Sequence, residues 1–91
     1  MKYEIHKTSK FEKDVKVAFK RGLDIKHLNA VIDRLANGEQ LEPKYKDHWL
    51  NGEYEGYREC HISPDWLLIY KKKDDVLVLT CSRTGTHSDL F

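Results

Sequence analysis

Apolar positions recur with two different periods, and the change between them divides the chain in two. Residues 2–6 alternate weakly and predict a short strand. Ser9 followed by Glu12 has the capping-box spacing, and Phe11, Val15, Ala18 and Phe19 then recur at helical intervals, predicting a helix over 9–21 that stops at Gly22. Asp24 is placed to cap a second helix with Ile25, Leu28, Val31, Ile32 and Leu35 as its apolar stripe, ended by Asn37-Gly38. So short a link predicts an antiparallel helix hairpin. Residues 39–56 are polar, contain Pro43, Gly52 and Gly56, and read as one long connection. Three strand-like runs follow, over 57–62, 66–72 and 76–84, with turns at Ser63-Pro64-Asp65 and Lys73-Asp74-Asp75. The run Val76-Leu77-Val78-Leu79 is apolar on both parities, which predicts the central strand and leaves the facing of Arg83 undetermined. Residues 85–91 leave the sheet as a tail or short turn. The expected fold is α+β, with two N-terminal helices packed on one face of an antiparallel sheet of about four strands.

Composition narrows the class. Ninety-one residues predict one domain over 1–91, and 40% hydrophobic with 34% charged residues fits a folded, water-soluble chain. No apolar run approaches the ~20 residues of a membrane span, and the N-terminal Met1-Lys2-Tyr3-Glu4-Ile5-His6 lacks a signal-peptide core, so a cytoplasmic location without membrane association is expected. Cys60 and Cys81 suit a reducing compartment as buried small residues, and with no CxxC a cysteine zinc site is not expected. The net charge is only +1, less than most proteins that hold nucleic acid by charge alone. Its distribution is uneven: Lys10, Lys13, Lys16 and Lys20 line the first helix, and Lys71, Lys72 and Lys73 form a run.

Candidate chemistry gathers in the second half. His48 lies in the long connection, His61 at a strand end, Asp65 in a turn, Arg83 at the end of the last strand and His87 in the tail. Turns, strand ends and tails are where side chains converge on a cleft. Cleaving RNA through its own 2′-hydroxyl needs a base, an acid for the departing 5′-oxygen and a cation for the phosphate. Histidine serves as acid or base near neutral pH, and arginine's fork matches phosphate oxygens. Trp66, Tyr57 and Phe91 offer flat faces to an unstacked base, although Trp66 also suits core packing. The nucleophile belongs to the substrate, so the reaction calls for no cofactor or metal. Three histidines and an aspartate invite comparison with a zinc site, but no pair has HxxxH or HEXXH spacing. His6, on the first strand, and His27, on a helix, read as structural or surface residues.

Two stretches carry a resemblance. One contains Asp47-His48-Trp49-Leu50-Asn51-Gly52 and runs on through Gly56-Tyr57-Arg58-Glu59-Cys60-His61-Ile62-Ser63-Pro64-Asp65-Trp66; the other is Arg83-Thr84-Gly85-Thr86-His87-Ser88-Asp89-Leu90-Phe91. In order and spacing they closely resemble the YafQ branch of the RelE/ParE toxin superfamily, over about half the chain. The resemblance implies a RelE-like fold and the toxin of a type II toxin–antitoxin pair, an endoribonuclease that cuts messenger RNA in the ribosomal A site and stops translation. It places His48, His61, Asp65, His87 and Phe91 in the catalytic set, with Arg83 on the phosphate and His87 as general acid. The base remains open among Asp65, His61 and His48. The implied partner is a DinJ-like antitoxin, which alone would contact operator DNA. Ribosome docking would fall to Lys10, Lys13, Lys16, Lys20, Lys71 and Lys72, with Trp66 on RNA. Trp49 departs from the pattern as a bulky neighbour of His48. The alternatives are a ParE-like toxin that binds gyrase without catalysis, which the histidine set disfavours, and a module that binds a partner through the helix pair.

Overall fold

Capping of the first helix is decided by a distant strand. Thr8, not Ser9, is the N-cap: its hydroxyl accepts from the Phe11 amide at 3.0 Å and donates to the Ser82 carbonyl at 2.8 Å. Either residue could cap locally, and only Thr8 also ties the helix start to the sheet. The computed structural model describes residues 2–91. Helix α1 runs Ser9–Lys20, and Gly22, at φ +81°, supplies the turn to α2, Ile25–Ala36, capped by Asp24 on the Lys26 amide. Four of the five predicted stripe residues of α2 are buried: Leu28, Val31, Ile32 and Leu35 face the sheet side together with Ala36, while Ile25 is only partly covered.

The sheet has five strands, one more than expected. They are β1 (Glu4–Lys7), β2 (His48–Trp49), β3 (Arg58–Ser63), β4 (Trp66–Lys73) and β5 (Val78–Gly85), in the order β1-β5-β4-β3-β2. The sheet is mixed, because β1 runs parallel to β5 while all other pairs are antiparallel. Two short 3-10 turns, Pro43–Tyr45 and Gly52–Tyr54, flank β2, so the long connection is largely structured. The central strand is β4, whose residues Trp66 to Tyr70 are all buried, with β5 beside it. Val76 and Leu77 belong to the preceding turn, where Leu77 takes φ +51°. The tail coils into α3, His87–Leu90, with a Thr86/Asp89 capping box.

Strand alternation sends β4 side chains to two cores. Leu68 and Tyr70 join Cys60, Cys81 and the helix stripes, while Leu67 and Ile69 point the other way and pack with Leu90, Leu50, Tyr54 and Tyr57. This second, smaller cluster is the floor of the site. Cys60 and Cys81 are buried free thiols, and burial raises both pKa values, that of Cys81 to about 12.

Two register shifts shape the functional face. One falls between His61 and Ser63 on β3, at the hairpin to β4. The other leaves Ser82 unpaired on β5: Cys81 registers with Tyr70, but Arg83 registers with Ile69. A one-residue bulge reverses every later side chain. Without it Arg83 would share the helix-facing side with Cys81; with it Arg83 lies on the Leu67/Ile69 face.

Candidate active site

The expected residues meet on that face. Cross-strand register aligns His48, Glu59, Ile69 and Arg83 in one row, with His61 beside Leu67 in the next. The rings form a chain: His48 to His61, 6.4 Å between centroids; His61 to His87, 5.9 Å; His87 to Phe91, 6.1 Å; and Phe91 to Tyr54, 5.6 Å edge-on. Asp65, in the β3–β4 turn, lies 3.4 Å from both Nδ1 and the backbone nitrogen of His87. The floor is apolar and the rim wet. His61 is mostly buried, whereas His48, His87, Asp65 and Phe91 are open to solvent.

The histidine tautomers follow from their partners. Nδ1 of His48 lies 2.5 Å from the Lys46 carbonyl and Nδ1 of His61 lies 3.3 Å from that of Pro64. A carbonyl only accepts, so each Nδ1 carries the hydrogen, and in the neutral ring Nε2 holds the lone pair. Both Nε2 atoms face one oxygen, Glu59 Oε1, at 3.5 and 3.6 Å. Glu59 is 3% exposed, and its Oε2 is buried without a hydrogen-bond partner. A proton arriving on either Nε2 therefore meets a buried carboxylate.

Arg83 stands apart from the histidines, about 10 Å from Glu59 across β4 by strand spacing. Its Nε and Nη2 donate to Asp14 at 2.6 and 3.1 Å, and the Thr84 amide donates to the same carboxylate at 3.2 Å. Asp14, and more weakly Tyr54, raise the pKa of the guanidinium, which keeps it charged.

Several expected contacts fall elsewhere. Trp66 is 3% exposed and packs in the helix-side core with Nε1 unpartnered, so it offers no stacking face to RNA. It starts β4 on the side opposite Leu67, which turns it inward. The Lys71–Lys72 pair splits across the sheet: Lys71 Nζ sits over Tyr57 on the site face and Lys72 Nζ over Tyr3 on the other. Trp49 also points away from His48, registered with Arg58, whose guanidinium stacks on the indole at 4.7 Å. Lys10, Lys13, Lys16 and Lys20 are all exposed along α1. His6 pairs with Glu4, and His27 Nε2 lies 3.0 Å from the Ile62 carbonyl. Among the described residues, no group of three or more His, Cys, Asp or Glu side chains is arranged to hold a metal ion.

With this geometry established, comparison with known proteins places the chain. A family model described as the YafQ bacterial toxin of type II toxin–antitoxin systems matches residues 3–91. The chain belongs to the YafQ family. It is 44% identical to the mRNA interferase toxin YafQ of Escherichia coli K12, covering 97% of this chain and 95% of that protein. A crystal structure of YafQ from E. coli BL21(DE3) matches with a TM-score of 0.91 and 42% identity over 98% of both chains. The E. coli DinJ–YafQ toxin–antitoxin complex matches at 0.90 and 42% over 100% of this chain and 99% of that one. A metal-bound toxin from Helicobacter pylori matches at 0.91 and 45% over the whole of both.

Within this YafQ-type framework, the sequence reading missed Glu59 and Asp14. Glu59 was accessible in principle: it lies two residues before His61 on one strand, hence on the same face. Asp14 carried no such signal, because its partner Arg83 is 69 residues away.

Proposed function

We propose that this chain is an mRNA interferase: a toxin that cuts messenger RNA in the ribosomal A site by acid–base catalysis and is neutralised by a DinJ-like antitoxin. The observation that carries the reading is the convergence of His48, His61, His87, Asp65 and Phe91 on one face, with successive rings 5.9–6.4 Å apart. That spacing spans a phosphodiester, with a base on one side and an acid on the other.

In the proposed mechanism the base is the sheet-borne pair. Nε2 of His48 or His61 takes the 2′-hydroxyl proton, and the buried Glu59 carboxylate faces the charge that forms. The 2′-oxygen attacks its own phosphorus, giving a 2′,3′-cyclic phosphate as the 5′-oxygen leaves. His87 protonates that oxygen, with Asp65 orienting the ring through Nδ1. Arg83 turns its Nη1 end, the part not engaged by Asp14, to the phosphate. Phe91 stacks against the nucleobase or the His87 ring. Lys10, Lys13, Lys16, Lys20 and Lys71 supply a local cationic surface for ribosomal RNA. A substrate presented by the ribosome removes the need for a large net charge.

The test is to incubate the protein with programmed ribosomes and map the RNA ends, with free RNA in EDTA as a control. Cyclic phosphate ends on the programmed ribosomes, no effect of EDTA on whatever cleavage of free RNA is seen, and loss of about 10²–10⁴ in rate in His87→Ala are expected. A His87→Ala variant that still cuts and still arrests growth would overturn the proposal.

A further inference from the structure

We infer that α1 is a two-point ionic clamp on the segment joining β5 to α3, with Asp14 and Arg21 as positioning residues that set the Arg83 guanidinium and the His87 ring relative to one another. The inference rests on the ribonuclease reading and adds two residues outside the ring cluster. Asp14 lies within α1 and Arg21 is its C-cap, seven residues on. Seven residues are two turns, so both side chains leave the same side of the helix, about 10 Å apart along its axis. They carry opposite charges and grip opposite partners.

Upstream, Asp14 takes two hydrogen bonds from Arg83 and one from the Thr84 amide. This occurs just past the end of β1, where the last contacts on the β5 edge are the Thr8 amide on the Cys81 carbonyl and the Thr8 hydroxyl on the Ser82 carbonyl. Downstream, Arg21 donates to both oxygens of Asp89, at 2.6 and 3.3 Å. Asp89 also completes the α3 capping box opposite the N-cap Thr86, with Oδ2 3.0 Å from the Thr86 amide, and His87 lies between these two.

The lengths explain why two anchors are needed. Arg83 and Asp89 are six residues apart and would span roughly 20 Å if extended. The anchors on α1 are about half that distance apart, so the segment must double back. It does so at Gly85, where an added Cβ would stand 3.0 Å from the Asp89 side chain. A four-residue helix has no stability of its own. Leu90 seats it on the floor and Phe91 meets Tyr54 edge-on, but both contacts lie at its C-terminal end and leave rotation about that end open. The Arg21 fork fixes the rotation, and the rotation decides where His87 stands relative to Asp65 and His61.

Exposed ion pairs usually add little to stability, and Arg21 and Asp89 keep side-chain exposures of 46% and 32%. The clamp therefore predicts an effect on rate rather than on melting temperature, which separates positioning from a merely structural role. The experiment uses the full chain on programmed ribosomes, comparing Arg21→Gln, Arg21→Lys, Asp89→Asn and the Arg21→Gln/Asp89→Asn double variant, with His87→Ala as reference. The readouts are the maximal single-turnover rate, half-saturation by ribosomes, amide exchange at residues 87–91 and Tm.

Each single neutralisation is expected to cut the maximal rate about tenfold with half-saturation unchanged within twofold. Exchange at 87–91 should quicken while β4 exchange and Tm hold. Arg21→Lys should recover part of the loss, and the double variant should be no slower than the worse single one. A wild-type rate in Arg21→Gln, or losses that multiply in the double variant, would overturn the clamp. An active His87→Ala would instead remove the ribonuclease reading beneath it, so the two failures are distinguishable.

Discussion

Replacing Glu59 with glutamine should push activity and stability in opposite directions. The substitution keeps the shape of the side chain and removes its charge. The wild-type carboxylate is buried, and Oε2 has no hydrogen-bond partner, so before any proton arrives it is a desolvated charge poorly compensated by two neutral rings. Such a charge costs several kcal/mol in a folded protein. Removing it should leave Tm unchanged or raise it by a few degrees. Activity responds the other way. In the proposed reaction a positive charge forms on Nε2, 3.5–3.6 Å from Oε1. Two unit charges at that distance attract by about 1 kcal/mol in water and about 5 kcal/mol at an effective dielectric near 20. The half-exposed His48 belongs toward the first value and the mostly buried His61 toward the second. The loss in single-turnover rate should therefore fall between about tenfold and about 10³-fold. The assay pairs cleavage on programmed ribosomes with a thermal melt. Glu59→Gln cleaving at the wild-type rate would refute the electrostatic argument. A variant that is slow because its Tm has dropped by more than about ten degrees would show Glu59 to be a structural residue.

Other outcomes follow from neighbouring contacts. Ile69→Ala removes a fully buried side chain from the floor and should cost about 2–4 kcal/mol in chemical denaturation, with cleavage at low temperature falling as His61 and α3 lose their support; an unchanged midpoint would show that the floor collapses to fill the cavity. Arg21, reinforced by the Thr86 backbone, holds the Asp89 carboxyl well below the usual carboxylate range. Its stabilising contribution is thus complete above about pH 4 and disappears as pH falls toward the folded-state value, so the NMR shift of the Asp89 carboxyl carbon should be flat from pH 8 to 5 and move only in acid. An Asp89 carboxyl transition centred above pH 5 would contradict that sign. Burial raises the Cys81 pKa to about 12 and raises that of Cys60, so neither thiol should react with a disulfide reagent at pH 8 until the chain unfolds; rapid labelling of the native protein would count against the packing between sheet and helices.

Much of the fold was legible because its signals are local. The Asp24 cap, the stripe Leu28–Val31–Ile32–Leu35 and the two turns after residue 62 each lie within a few residues of what they determine. What escaped was non-local or too short. Two residues, His48 and Trp49, cannot display a period of two, so β2 is visible only through its pairing with β3. Strand direction leaves no mark on alternation, so β1 carries no sign that it runs parallel to β5. Trp66 shows a further limit: an aromatic residue after a Pro-Asp turn suits a platform and a core equally, and the parity of β4 decides. For the site, residue types located the histidines and Asp65, but the bulge at Ser82 alone puts Arg83 on their face, within a run too apolar to reveal its register.

The arrangement divides the proposed chemistry between parts of unequal stiffness. His48, Glu59 and His61 sit on paired strands above Leu67 and Ile69, so their mutual distances are set by backbone hydrogen bonds and the floor. His87 and Phe91 ride on a four-residue helix held by Leu90, Thr86 and Asp89. Local opening costs less free energy where fewer buried contacts must break. The acid end is therefore the part that yields first, both to temperature and to any ligand that competes for α3, while the base end stays assembled. A partner that displaced the tail could silence the proposed enzyme without unfolding the sheet. On this division, variants of α1 that loosen the tail should lose rate, though less than loss of His87 does, and keep wild-type stability, whereas variants of the floor should lose both.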